Sequence, residues 1–454
     1  MLSSLLSVGT KWRPKQKLSI ELLSIAIFGS LILAVTLGLP VVFCLGGVAI
    51  GFTYFLWGPK AVYMVATTYW ATSSNSILMA VPLFIFMANM LQYSGLADDL
   101  FQTAYYWLGR INGGLAAGVV LICTIFAAMT GTTGAATVTM GLVALPAMLK
   151  RNYDKELAVG CIMAGGVLGI LIPPSIIMIL YAAVSGESVG SLFMGGVFPG
   201  LILSSLFMSY VLIRSHFQPY LGPKIPKEEV PNLRERFLSL KAAILPFLLI
   251  LLVLGVIYSG VATPTEASAV GAFGAALCTV IHRRFTWGVL NLALRKTFML
   301  TAMGLWLLAA ASCFNQLYCA MGASDMITHL VNGLPLSRWA ILITMQLSLF
   351  VLGCLMDDWA LLVLTTPIFL PIVRQLGFDT LWYGVLFIVN MQMAYLTPPY
   401  GFNIFYMKAI VPKDVTIMDI YRSIIPFVIL QATGLAICMI FPQVVLWLPS
   451  VMVK

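Results

Sequence analysis

Apolar windows of roughly 20 residues, the length a helix needs to cross a bilayer, recur along this 454-residue chain from its first fifty residues to its last thirty. The connections between them are short. In hydrocarbon every backbone N–H and C=O must pair within its own segment, so such a chain folds as a bundle of spanning helices. Only 9% of residues are charged, against about 25% in an ordinary soluble domain. The whole chain therefore reads as membrane domain, all-α, with no soluble domain attached.

The formal charge of +9 would suit nucleic acid, but Lys and Arg sit in the short connections, where they orient a protein across a membrane. The partner they imply is the lipid bilayer, not nucleic acid. The eight cysteines, among them Cys44, Cys123, Cys161 and Cys354, stand singly in apolar segments, and Cys313 and Cys319 have no metal-site spacing; they read as small core residues. His216, His282 and His329 do not pair on one helical face. No His-based catalytic or metal site is expected. The tail over 1–17 runs into an apolar segment without a small-residue cleavage site, so it is not read as a cleaved signal peptide.

The expected spans are 18–38, 40–57, 76–93, a hairpin at 114–149, 156–185 and 190–213. A polar connection over 214–240 follows, the only long loop. The pattern then resumes: 241–259, 264–282, 298–321, a hairpin at 338–373, 380–411 and 421–445. An offset of 225 residues lays Pro146 on Pro371, Asp154 on Asp379, Pro173 on Pro398, Pro174 on Pro399 and Tyr181 on Tyr406; an offset of 224 lays Pro40 on Pro264 and Gly47 on Gly271. The chain is thus a duplication, with one repeat over 18–213 and the other over 241–454. Each half holds about five full spans plus one hairpin that re-enters and leaves on the same side. An odd number of crossings then separates equivalent points, and the halves are expected to be inverted.

With the N-terminus outside, the cytoplasm receives Arg110, Lys150, Arg151, Lys155, the central loop, Arg283, Arg284, Arg295, Lys296, Lys413 and Arg422. This satisfies the positive-inside bias over most loops, although it leaves Lys11, Arg13, Lys15 and Lys17 outside. The first hairpin would open to the cytoplasm and the second to the periplasm.

In the first hairpin the apolar run stops at TGTTGAATVT, Thr130 to Thr139. Alone, such a cluster reads as close packing of small residues. Forty-one residues after Thr132, however, comes GILIPPS, Gly169 to Ser175, where two prolines remove two donors and break the helix. A break in mid-membrane offers carbonyls to a hard cation such as Na+ and a half-helix N-terminus to a carboxylate. The second half repeats the arrangement: Asp357 lies forty-one residues before Pro398, and the break reads YLTPPYG, Tyr395 to Gly401. Asp357 and Asp358 interrupt an apolar run, where an ionisable residue is a functional candidate, or else one of them caps the half-helix at the hairpin tip.

VPLFIFMANMLQYSGLADDL, TGTTGAAT, LPAMLKRNYD, GILIPPSIIMILY, TPTEASAVGA, PIFLPIVRQLGFD and YLTPPYGFNIF together resemble the large membrane subunit of TRAP (tripartite ATP-independent periplasmic) transporters, of the ion transporter superfamily, over nearly its full length. The resemblance implies import of an organic acid on a sodium gradient by an elevator motion, in the inner membrane. It further implies a small membrane subunit and a periplasmic solute-binding protein as partners, and no cofactor beyond Na+ as coupling ion. By similarity, a first sodium site would use Thr132, Gly134, Gly169, Ile172 and Pro174; a second would use Gly353, Ala394, Thr397 and Tyr400. Two departures are plain. Thr130 to Thr133 stand where the family usually has Ser-Gly-Ser-Ser, and Ala394 stands where it usually has glycine. Asn315, Gln316, Asp325 and Trp359 look particular to this chain.

Ser175, Thr132, Thr133, Asp357 and Asn403 are the candidate polar contacts to substrate or ion. A proton-coupled or exchange carrier of the same architecture is the alternative. A membrane-embedded enzyme with a carboxylate-held metal is disfavoured, because Asp357 and Asp358 are adjacent and their side chains diverge. A channel is disfavoured too, because inverted hairpin repeats build a closed, alternating site.

Overall fold

The computed structural model describes residues 19–225, 232–322, 335–399 and 401–452. The tail over 1–17, Asp325, His329 and Tyr400 lie outside the described residues. Within them the chain is helical, with no strand.

Helices α1 (Ile20–Thr36), α2 (Val41–Trp57), α3 (Val62–Ser73), α4 (Ala80–Tyr93) and α5 (Leu96–Leu108) lead to a first hairpin, α6 (Gly114–Thr130) and α7 (Thr133–Lys150). Next come the two halves of a broken span, α8 (Lys155–Val167) and α9 (Ile176–Ser185), and then α10 (Val189–Phe217). The chain continues with α11 (Leu233–Tyr258), α12 (Pro264–Ile281) and α13 (Trp287–Ala320). A second hairpin, α14 (Arg338–Gly353) and α15 (Asp358–Gln375), precedes a second broken span, α16 (Thr380–Leu396) and α17 (Phe402–Ile410), before α18 (Ile417–Ile440) and α19 (Gln443–Val451). Six helices among the described residues are long and apolar enough to cross a membrane unaided.

Several expected boundaries move, each for a local reason. The central connection is shorter than 214–240, because α10 runs on to Phe217 with Arg214 and His216 in its last turn, where cations suit the carbonyl end. At its far side Asn232 and Glu235 form a capping box that starts α11 at Leu233. The same device opens α12: Thr263 accepts from the Glu266 N–H at 3.3 Å, the Glu266 carboxylate accepts from the Thr263 N–H at 2.8 Å, and Pro264 fills the first helical position. The TPTE motif is thus a helix start. Helix α13 begins at Trp287 rather than 298, and α3 and α5 stand where no span was expected.

The chain gathers into two compact units that cut across the repeat boundaries. The first takes the described parts of Met1–Ser76, Thr301–Met345 and Asp358–Asp379. Aromatic pairs hold it: Phe28 meets Phe314 and Tyr318 edge-on at 5.8 and 5.4 Å, and Phe43 meets Trp306 at 5.2 Å. Trp359 packs against Gly304, where a Cβ would come within 2.6 Å of the ring's Cε3. The particular Trp359 is therefore a packing residue matched to a glycine.

The second unit takes the described parts of Ile77–Leu300, Gln346–Asp357 and Thr380–Lys454. At its centre lies α8, buried on every side from Leu157 to Val167, as an all-apolar helix must be to find only protein around it. Arg284, between α12 and α13, pins the α4–α5 corner by donating to both oxygens of Asp99 at 2.9 Å and to the Ser94 and Gly95 carbonyls. Cysteine placement needs one correction: Cys319 is exposed, while the other seven are buried.

Candidate functional site

The first hairpin turns in two residues. The α6 helix ends at Thr130, Gly131 takes the left-handed conformation (φ +61°) that glycine adopts without a Cβ penalty, and Thr132 is extended before α7 begins. This tip lies backbone to backbone on the first break. The Ile176 N–H donates to the Gly131 carbonyl at 3.5 Å, and a Cβ on Gly169 would stand 2.5 Å from the Thr132 carbonyl oxygen. Of the residues assigned to the first site, Thr132, Gly169 and Pro174 thus lie together.

The break itself follows from which amides are missing. A 3-10 turn over Leu168–Ile170 closes α8, and the N–H groups of Leu171 and Ile172 both donate to the Leu168 carbonyl, at 3.0 and 2.9 Å. Pro173 and Pro174, joined by a cis peptide, have no N–H for the carbonyls of Gly169 and Ile170, which a continuous helix would pair with them. Ser175, wholly buried, answers one of these: its hydroxyl donates to the Ile170 carbonyl at 2.5 Å and accepts from the Met178 N–H as the N-cap of α9. Gly169 itself lies against the hairpin tip. One residue into α7, the Thr133 hydroxyl is buried with no hydrogen-bond partner, and so is that of Thr137 a turn later. Gly134 turns its open face to the Tyr406 ring, 2.9 Å from where a Cβ would lie. The Ile172 side chain packs on Gly200, which leaves only its carbonyl for a ligand.

The second break repeats the backbone logic. Pro398 and Pro399 are also joined cis and strip helical partners from Ala394 and Tyr395. The Thr397 N–H returns to the Ala394 carbonyl at 3.0 Å and its hydroxyl donates to the Met393 carbonyl at 2.8 Å. Gly353, the last residue of α14, lies against this segment: a Cβ there would be 2.8 Å from that of Ala394. The methyl that replaces the usual glycine is thus accommodated by a glycine opposite. The two breaks differ in cover, for Pro173 and Pro174 are buried while Pro398 and Pro399 are exposed. Asp357 immediately precedes α15 and is half-buried; Asp358 opens the helix at 5% exposure and accepts from the Trp359 N–H at 2.9 Å. Both carboxylates stand at the positive end of a helix.

Sequence reasoning missed the bonds between the two broken spans. The Asn403 amide donates to the Met163 carbonyl and the Gln392 amide to the Val167 carbonyl, each at 2.9 Å, and the remaining oxygen of each amide is buried without a partner. At one end Lys155 meets Asp414 at 3.1 Å, and that hydrogen bond holds the Asp414 carboxyl below its usual range. At the other end Thr380 bonds to Glu187, and its carbonyl accepts from the Tyr181 hydroxyl at 2.9 Å. Read from 155 through 163 and 167 to 187, the partners run 414, 403, 392 and 380: the broken spans lie antiparallel. Asn390 and Gln392, polar residues in an apolar run, were the signal available.

The family model for the tripartite ATP-independent periplasmic transporter, DctM component, matches residues 28–444. The C4-dicarboxylate TRAP transporter large permease protein DctM of Pseudomonas aeruginosa is 33% identical over 407 residues, covering 89% of this chain and 93% of that one. The sialic acid TRAP transporter large permease protein SiaM of Vibrio cholerae is 29% identical, covering 91% and 95%. The crystal structure of the Alcanivorax borkumensis YdaH transporter shares the fold, with a TM-score of 0.61 at 15% identity over 85% of this chain and 90% of that one. The TRAP permease homologues are proteins of the inner membrane and not enzymes. The chain belongs to the DctM family, as a large permease subunit of a TRAP transporter.

Proposed function

We propose that this subunit carries organic acids, carboxylates such as C4-dicarboxylates or related anions, into the cell by sodium-coupled symport. A periplasmic binding protein delivers the substrate, and a small membrane subunit completes the transporter. The observation that carries the reading is the hairpin tip laid on a helix break whose carbonyls have lost their amides. Carbonyl and hydroxyl oxygens at such a junction are hard ligands that suit an alkali cation. The Gly169 carbonyl, the Thr132 backbone and hydroxyl, and the unpartnered Thr133 hydroxyl would make up the first site. The second would draw on Gly353, Ala394, Thr397 and Tyr400. The α9 N-terminus at Ser175 and the Asn403 amide suit the substrate carboxylate.

Inverted repeats are supported by the antiparallel run of the two broken spans and by the Val167–Gln392 bond, which joins residues 225 apart, the offset of the duplication. Residues equivalent under a two-fold axis touch each other only at that axis. An elevator motion fits this architecture as the route of alternating access.

Thr132→Val keeps the shape of the side chain and removes its oxygen. Uptake of labelled C4-dicarboxylates, followed by other carboxylates, into vesicles holding the complete transporter should then need several-fold more Na+ for half-maximal rate. An unchanged Na+ requirement removes Thr132 from the site. Wild-type uptake that follows pH and ignores Na+ would replace symport with sodium by the proton-coupled or exchange carrier.

A further inference from the structure

The geometry points to Gln392 as a positioning residue that couples the two cation sites, an assignment that rests on the sodium reading above. Three observations meet at this side chain. First, the 3-10 turn that ends α8 sends the Leu171 N–H to Leu168, so the Val167 carbonyl, at the N-terminal edge of that turn, no longer has the Leu171 N–H that a continuous helix would give it and faces the tighter i+3 bond of the turn instead. The Gln392 amide adds a donor to this carbonyl at 2.9 Å from another helix. Second, the bond sits close to both sites along the chain: Val167 is two residues before Gly169, and Gln392 is two residues before Ala394 and five before Thr397. Third, both ends are wholly buried, so the two helices cannot part there without leaving the Gln392 amide without an acceptor.

Because Val167 and Gln392 are equivalent under the 225-residue offset, a single bond lies the same distance from each break. A cation that draws in the Gly169 carbonyl orders the end of α8, and through Gln392 it orders the stretch of α16 that presents Ala394 and Thr397. The second cation then binds a segment already fixed. Such sharing of the ordering cost is positive cooperativity, and by linkage it acts equally in both directions. Coupling of this kind typically changes affinity by about 5- to 150-fold. Asn403 adds a second tie one turn earlier on α8, from the far side of the second break.

Equilibrium binding of radioactive Na+ to the purified complete transporter tests this without any choice of substrate. The wild type should bind two ions cooperatively. Gln392→Met, similar in volume but without a donor, should still bind two ions, with a Hill coefficient near 1 and affinity weakened about tenfold. Gln346→Met serves as control: it removes the Oε1 acceptor of the buried Asn390 amide and leaves the bond to the Gln346 backbone carbonyl, a contact that spans no break, and should lower the melting temperature slightly while leaving cooperativity intact. If Gln392→Met does not fold, Gln392→Asn, one methylene too short to reach Val167, takes the same measurement. Cooperative binding unchanged in the Gln392 variant overturns the coupling role and leaves sodium symport standing. Loss of one ion outright makes Gln392 a ligand and overturns it too. A wild type that binds no Na+ removes the sodium reading, and the coupling with it.

Discussion

Gly169 shows how closely backbone meets backbone at the first break. A Cβ there would stand 2.5 Å from the Thr132 carbonyl oxygen and 2.8 Å from its carbon, and main-chain atoms of a two-residue turn cannot swing aside. Gly169→Ala should therefore lift the hairpin tip, destabilise the protein by about 1–3 kcal/mol as overpacking usually does, and cut uptake far more than abundance. Uptake normalised to the amount of transporter in the membrane checks this; normal transport by the alanine variant would show that the tip is not held there. The equivalent Ala394 already carries a methyl, and Gly353 opposite makes the room. Of that pair the sequence displays only the departure, since the compensating glycine is a neighbour in space. Gln392 escaped notice for a related reason. Its partner is the Val167 carbonyl at the edge of a 3-10 turn, and nothing in the residues Val167 to Ile170 announces that turn.

At the scale of helices, the breaks were the most legible feature, because proline acts through its own missing N–H whatever surrounds it. Helix starts were legible where a capping box spells them, as at Thr263 and Glu266. They were missed where hydropathy was the guide, as at Leu233, which the box at Asn232 and Glu235 sets. The short α3 and α5 fall below the length of a span, so a search for spans passes over them. Replacing Pro173 and Pro174 together by Ala would restore two donors for the carbonyls of Gly169 and Ile170 and permit a continuous helix. Transport should then collapse while insertion and abundance stay near normal, because alanine is well tolerated in a spanning helix. Loading of substrate onto the binding protein should not change. Wild-type uptake with wild-type Na+ dependence in the double variant would reduce the break to a kink.

Over the whole molecule, the sequence offers a register of rare residues at an offset of 225. After each hairpin the chain passes through a left-handed residue, Asn152 (φ 58°) and Gly377 (φ 73°), 225 apart like the prolines. The division into compact units was not legible, because it depends on which apolar faces meet, and apolar faces look alike in one dimension. Orientation is the property most exposed to a direct test. If the halves are inverted, equivalent loops must open on opposite sides of the membrane. Ser188 follows the first broken span, Lys413 follows the second, both are exposed, and they too lie 225 apart. Their neighbours Glu187 and Asp414 bond to Thr380 and Lys155, the first residues of the opposite broken spans, so each loop marks the far end of an antiparallel pair. Ser188→Cys and Lys413→Cys, made singly in a Cys319→Ser background that removes the exposed native thiol, should be labelled by a membrane-impermeant maleimide from opposite faces of oriented vesicles. The buried cysteines should stay silent, and uptake by each variant before labelling shows that the fold is kept. Labelling of both loops from one face would mean that the repeats are parallel, and the antiparallel contacts would then have to arise within a fold without inverted symmetry.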